Sequence, residues 1–494
     1  MVLTAAVALP FLVGAVLLGL GDRVSAAVAR ATAGVAVIAS AGLVAAGWYL
    51  DAPERFSWIP ELGIDWSLRL DGLNVAFVLL TAAVGILIVG HTAYEMPQGG
   101  APASYLGAVL IAQAGALTAF LAGDALLFFV AFEIVLVPMW FVIRRFGDGR
   151  VPEVRDEAST RFVLYTAVGS TLMLVGILLL AVRAGSTDFD RLVGALPGQD
   201  AATVAIVLLL TVGLCVKIPV FPLHTWLPPA HTIAPTGGSV LLAAVLLKLG
   251  TYGVIRLPLA SAPDAFAFIS PWLALAGAFA VVWGGLICLA ETDLKRLIAY
   301  SSVAHMGFVA LAVASGSSLG VQAAIYTSVA HGVVSAFLFI LVGGLKHRWG
   351  SADLTVSRPA LREVSPALGF FLVLGMAAGM GLPGLAVFWG EFLTLYAAWS
   401  PGGGRSQVVF LACVVVAAIG AALGAAYTTR VLRAVWVGDA VRTKTGLPVR
   451  HDDASRTERA LLGVLGLALV ALGVAPGILL TATAGVGALL GGLP

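Results

Sequence analysis

The sequence predicts an all-α polytopic membrane protein of about fourteen transmembrane helices, with two inverted five-helix repeats that each contain a broken helix. Three observations lead there. Of 494 residues, 60% are hydrophobic and 11% charged, with a mean hydropathy of +1.02. That charged fraction is roughly half that of a soluble chain. The apolar residues form continuous runs near the ~20 residues a helix needs to cross a bilayer, unlike the short alternating segments of a β-barrel. Two runs are interrupted by helix breakers, "KIPVFP" in the seventh and "GMGLPGLAVF" in the twelfth.

The spans read, in order, 2–20, 26–50, 72–94, 103–122, 125–143, 160–182, 201–222, 235–258, 266–290, 295–315, 319–345, 366–400, 407–437 and 458–490. The first has no basic residues ahead of its apolar stretch, so it reads as a retained span and not a cleaved signal. Loops after odd-numbered spans hold about 20 Lys and Arg, and those after even-numbered spans about 6. Odd loops are therefore expected to be cytoplasmic and both termini to face outward. The 51–71 loop, with five acids against two arginines, fits the outer side.

Spans four to eight and nine to thirteen make two sets of five, each with its fourth member broken. An odd number of crossings inverts the second set relative to the first, as in transporters whose broken helices line the ion or substrate site. The chain divides into a three-helix segment (1–100), a first five-helix half-channel (101–258), an inverted second half-channel (259–437), and a cytoplasmic loop with the last helix (438–494).

Ionisable residues at the bilayer centre cost several kcal/mol and mark function by default. Glu133 lies nine residues past Asp124, roughly 13 Å into a ~30 Å core. Lys248, His305 and His331 fall at similar depth, and Lys217 and Glu391 sit beside the two breaks. Residues at one depth suggest a polar axis running along the membrane. Both mid-span cations are lysines although the chain has 23 arginines and five lysines. Lysine loses its proton when desolvated, arginine does not, and histidine titrates near neutrality. The set can therefore pass protons. The prolines free backbone carbonyls, which marks places where water reaches.

Each residue also has a plainer reading. Glu133 and Lys217 could form a static ion pair, and His305 and His331 could be packing histidines. His224 and His231, near the cytoplasmic end of the seventh span, are weaker relay candidates or ordinary interfacial residues. Cys215, Cys288 and Cys413 lie in apolar runs without CxxC spacing, so neither an iron–sulfur site nor a disulfide framework is supported. No phosphate-binding or metal-ligand spacing is present, and a net charge of +2 gives no indication of nucleic acid.

The string "KIPVFPLHTWLPPAHTIAPTGGSVLLAAVLLKLGTYGVIR", with "ETDLKRLIAYSSVAHMGF", "AIYTSVAHGVVSAFLF" and "GLPGLAVFWGEF", resembles the antiporter-like subunits of respiratory complex I. These are related to the large subunits of multisubunit sodium/proton antiporters and membrane-bound hydrogenases. The resemblance extends from about Asp124 to Phe392. It implies fourteen helices with two inverted repeats and a proton relay of Glu133, Lys217, Lys248, His305, His331 and Glu391. Glutamate at Glu391 matches the M-type branch, where L-type, N-type and antiporter relatives carry lysine. The chain also ends soon after its last span, without the lateral helix of the L-type. The resemblance further implies a multi-pass protein of the bacterial inner membrane within a large hetero-oligomer. L-type and N-type subunits and lipids would be neighbours, and partner subunits would hold NADH, FMN, iron–sulfur clusters and quinone. The alternatives are a subunit of a cation/proton antiporter or hydrogenase, or a structural spacer.

Overall fold

The computed structural model describes residues 1–494 except 52, 98, 149–151, 440–451 and 493–494. The middle of the basic 430–459 loop thus lies outside the described residues. The helices are α1 (Val2–Leu20), α2 (Ala26–Leu50), α3 (Val75–His91), α4 (Pro102–Leu121), α5 (Ala125–Phe146), α6 (Pro152–Ala184), α7 (Ala201–Lys217), α8 (Leu227–Ile233), α9 (Thr236–Leu259), α10 (Pro263–Ala290), α11 (Leu294–Ala314), α12 (Ser318–Trp349), α13 (Pro366–Gly379), α14 (Ala386–Trp399), α15 (Gln407–Val437) and α16 (Arg456–Val474). A hairpin of β1 (Glu54–Ile59) and β2 (Ile64–Leu68) joins α2 to α3 and lies on one face of the bundle, here the hairpin face. Among the described residues, eleven helices are long and apolar enough to cross a membrane, and several further apolar helices are shorter.

Local chemistry sets the helix starts. Asp124 accepts hydrogen bonds from the amides of Leu126 and Leu127, Asp200 from Ala202 and Thr203, and Ser317 from Gly320. Such caps satisfy donors that a helix start leaves open. The most apolar stretches of α9 and α12 are wholly buried, whereas only 22% of that of α15 is. The bundle therefore keeps α4, α9, α11 and α12 at its centre. It turns Leu12, Trp272, Val408 and Leu467 outward, as expected of a surface solvated by lipid.

Glycine lets the helices approach. A Cβ on Gly277 of α10 would lie 2.7 Å from the Gly307 carbonyl of α11, and one on Gly307 would lie 2.6 Å from the Gly277 carbonyl. Gly169 with Gly213, and Gly14 with Gly107, repeat this reciprocal contact. Small residues at crossings let membrane helices pack without a hydrophobic driving force.

Two matching connections bear on the repeat. At the start of α5, Ala125 N donates to Thr187 O (2.8 Å) and Phe189 N to Gly123 O (3.0 Å). At the start of α11, Leu294 N donates to Ala352 O (2.9 Å) and Leu354 N to Thr292 O (2.7 Å). In each case the loop after the next helix bridges back, Asp188 to Asp124 and Asp353 to Asp293. The first bridge lies at the hairpin face, where Gly123 N donates to Ser67 O. The second lies at the opposite face, beside Asp148, which follows the far end of α5.

One expectation needs correction. The last span was expected to run 458–490, but α16 ends at Val474, and Pro476 starts two short helices, Gly477–Ala482 and Val486–Leu489. Lys217 and Lys248 are also joined by other cations buried within the protein. Arg256 near the end of α9 and Lys295 at the start of α11 are 3% and 2% exposed. Each has a partner, Asp71 and Asp148 respectively, which makes a buried charge tolerable.

Candidate functional site

A contact chain crosses the centre of the bundle. The π-helical turn Leu242–Leu246 precedes Lys248, whose Nζ donates to Ala243 O (2.8 Å) and lies 2.5 Å from His331 Nδ1. His331 Nε2 lies 3.0 Å from Ser335 Oγ, one turn further along α12. The His331 and His305 rings are 5.5 Å apart between centroids. His305 Nε2 lies 3.0 Å from Gly379 O, the last residue of α13, and 3.8 Å from Glu391 Oε1. Lys248, His331, His305 and Glu391 are thus brought together across α9, α12, α11 and α14. The Lys248–His331 hydrogen bond survives a transfer of its proton: ammonium donates to Nδ1 before, and Nδ1–H donates to the amine after. Such a pair can exchange a proton without moving heavy atoms.

The second break holds Glu391 in place. Gly381 (φ 74°) and Gly384 (φ 92°) turn the chain between α13 and α14, in a conformation that L side chains rarely adopt. A Cβ on Gly381 would lie 2.5 Å from Glu391 Oε2, so the carboxylate packs directly on that backbone. Trp389 Nε1 donates to Gly473 O (2.8 Å) and fastens α14 to α16. Tyr427 of α15 lines a small cavity with His305 and Glu391. Its place was not legible from sequence, since nothing in "GAAYTTRV" distinguishes an inward tyrosine.

The first break is built differently. α7 ends at Lys217, and Trp226 Nε1 donates to the carbonyl of Val216, ten residues earlier (2.9 Å), one of the carbonyls near the break. Lys217 is 1% exposed, and its ammonium lies over Phe132 (4.9 Å) and Phe162 (5.4 Å). Glu133 and Lys217 were expected to pair, but among the described residues they make no ion pair. Glu133 Oε1 and Lys217 Nζ are both buried without a hydrogen-bond partner. Helix rotation places Phe132, not its neighbour Glu133, against the lysine. The static ion pair is therefore absent.

His224 and His231 are both buried. His231 is fully buried and stacks on Phe339 at 4.7 Å, with both ring nitrogens unpartnered. Phe339 lies eight residues past His331 on α12, and His231 O accepts from Ser239 Oγ (3.1 Å). His224 packs against Phe221 and Tyr300 with Nδ1 unpartnered.

Beyond His231, on the face opposite the hairpin, a cleft of about 330 Å³ is lined by Glu95, Asp148, Thr236 and Lys346. Lys295 Nζ bridges Asp148 Oδ2 (2.9 Å) and Ala234 O, and Ala234 lies three residues past His231. Burial raises the Asp148 carboxyl, but Lys295 and Lys346 outweigh it and hold it below the usual carboxylate range. Burial and then the nearby Asp148 charge push Glu95 up. These partners lie up to 198 residues apart, so no local motif announces them. Among the described residues no group of three or more metal-ligating side chains occurs.

Comparison with known proteins identifies the family of this chain. The profile of the family described as "NADH:quinone oxidoreductase/Mrp antiporter, TM" matches residues 122–420. The "NAD(P)H-quinone oxidoreductase chain 4 1" of Nostoc sp. is 34% identical over 483 residues, covering 94% of this chain and 88% of the relative. The "NADH-quinone oxidoreductase subunit M" of Rickettsia typhi is 32% identical over 431 residues, covering 86% and 83%. A chain of "Respiratory complex I from Thermus thermophilus with bound NADH" superposes over 100% of both chains, with a TM-score of 0.86 and 29% identity. The chain belongs to the NADH:quinone oxidoreductase/Mrp antiporter family of membrane proteins.

Proposed function

We propose that this chain is the M-type proton-translocating membrane subunit of a bacterial NADH:quinone oxidoreductase. It acts as part of a translocase and carries the protons that electron transfer in partner subunits drives. The observation that carries this reading is the contact chain Lys248–His331–His305–Glu391 at the centre of the bundle. Glu391, where antiporter-type relatives are expected to carry lysine, favours the M type.

In this reading a proton reaching Lys248 passes to His331 along their hydrogen bond, then by way of His305 to Glu391. Lys217 and Glu133 form the first half's pair at a distance. Their unpartnered polar atoms favour water as the bridge, since bare polar groups are costly in a membrane interior. Residues 101–258 and 259–437 act as the two half-channels, a division that the matching Asp124/Asp188 and Asp293/Asp353 bridges support. The face of Asp148 and Lys346 is cytoplasmic, and the hairpin face is outward. The amides of Leu3 and Thr4 donate to Glu54 of the hairpin, and Gln322 at the start of α12 donates to Thr483 O. Both termini therefore belong to the outward face of the bacterial inner membrane. NADH, FMN, iron–sulfur clusters and quinone are bound by partner subunits, and L-type and N-type subunits are its membrane neighbours.

Affinity purification of the tagged chain from native membranes tests this reading. Co-isolation of flavin and iron–sulfur subunits with NADH:quinone activity is expected. Isolation with antiporter or hydrogenase subunits and no NADH oxidation overturns it.

A further inference from the structure

Lys248, Tyr252 and Arg256 recur every four residues on α9 and so share one helix face. Arg256 lies ~12 Å from Lys248 toward the hairpin face. Its Nε donates to Tyr252 Oη (3.1 Å), Nη2 pairs with the Asp71 carboxylate, and its guanidinium lies 5.7 Å from the Phe189 ring. Asp71 is fixed in turn, because its Oδ1 accepts from the amides of Leu73 (2.9 Å) and Asn74 (3.1 Å). At the level of Tyr252 the space between lysine and arginine is filled by rings. Phe77 stacks on Phe120 at 5.2 Å, and both meet Tyr252, at 6.1 and 5.6 Å. All three are fully buried. The polar contacts of Lys248 lead the other way, to Ala243 O and His331.

We infer that Arg256, clamped by Asp71 and Tyr252 above the Phe77–Phe120 pair, is a fixed cationic plug that closes the hairpin-face end of the relay at Lys248. Three physical properties suit it to that role. Arginine does not give up its proton in proteins, so it cannot hand one onward as lysine or histidine does. Asp71 pairs with Arg256 from the hairpin-face loop while Nε reaches back to Tyr252, so a hydrated proton approaching from Lys248 meets the positive end of the pair first. The aromatic layer beneath it offers no hydrogen-bonding group except Tyr252 Oη, which Arg256 already engages. Protons on Lys248 are thereby confined to the His331 route and do not return through α9. This inference rests on the relay reading, in which Lys248 carries protons.

The test is passive proton leak through the whole complex reconstituted in liposomes, with no NADH and an imposed pH gradient read by a trapped pH dye. Arg256→Met, similar in size and without charge, is expected to speed collapse of the gradient several-fold. Arg256→Lys should give a smaller increase, because lysine can deprotonate there. Adding Lys248→Met to Arg256→Met should restore the slow decay, since the leak runs through that lysine. An assembled Arg256→Met complex that decays at the wild-type rate overturns the inference. If that variant does not assemble, Asp71→Asn, which leaves the arginine unclamped, is judged by the same criterion. NADH-driven pumping by the Lys248→Met complex separates the two ideas. Pumping lost there with leak unaltered in Arg256→Met sinks the plug alone, whereas pumping retained there sinks the relay reading itself.

Discussion

Glu391→Gln removes one ionisable group from the proposed relay and almost no volume. The carboxylate packs on Gly381 and lies 3.8 Å from His305 Nε2, and its side chain is 13% exposed. Glutamine fills the same space, so the break between α13 and α14 is preserved. The loss is electrostatic. At this separation a carboxylate stabilises an imidazolium by about 4 kcal/mol at an effective dielectric of ~20. At about 1.4 kcal/mol per decade this is roughly a thousandfold in the population of protonated His305. Proton transfer through His305 must then slow, and coupled turnover is expected to fall at least tenfold. The assay compares NADH:quinone turnover and dye-reported acidification in reconstituted vesicles, with NADH:ferricyanide activity as the measure of intact electron input. An assembled Glu391→Gln complex with wild-type turnover and acidification would refute this reasoning, because it would mean His305 is never charged during the cycle.

Other outcomes follow from the same geometry. Glu133→Gln is expected to lower coupled turnover sharply while Glu133→Asp keeps part of it; equal activity of the two variants would show that charge at this position is idle. Trp226→Phe deletes the Nε1–Val216 O hydrogen bond beside Lys217 and leaves a buried carbonyl one donor short, costing about 1–3 kcal/mol. A thermal shift of the purified complex reads this, and an unchanged midpoint contradicts it. Asp148→Asn bears on pH dependence. The folded pKa of Asp148 is depressed by Lys295 and Lys346 against the effect of burial. Its contribution is therefore fully present above the unfolded value near 3.9 and lost as pH falls through the lower folded value. The variant should be about 1–2 kcal/mol less stable at pH 7, given partial exposure, and the difference should shrink only under strong acid. A deficit that is the same at pH 7 and well below pH 3 counts against the ion-pair origin.

The breaks and the residues of the proposed relay were legible because they violate a rule: proline, lysine and glutamate within apolar runs stand out against their surroundings. The repeat could have been sharpened from "GSTDF" and "GSADL", whose aspartates occupy matching bridges. Contacts that depend on helix rotation were not legible. Glu133 and Phe132 are neighbours in sequence, yet it is the phenylalanine that meets Lys217. Nor could sequence assign Trp226 to a carbonyl ten residues back, or Lys295 to Asp148 across 147 residues. Nothing near Arg256 in the sequence points to its partner, because Asp71 belongs to a distant loop. Its burial follows only once both ends of that pair are folded together.

The central claim is that protons travel by the Lys248–His331 hydrogen bond. The most direct test is NADH-driven proton pumping by a reconstituted complex carrying Lys248→Met, which keeps the side-chain length but makes neither bond of the ammonium. The predicted result is that pumping is lost while NADH:ferricyanide activity and subunit composition remain those of the wild type. A complex that assembles with methionine at this position and pumps the wild-type number of protons per electron contradicts it.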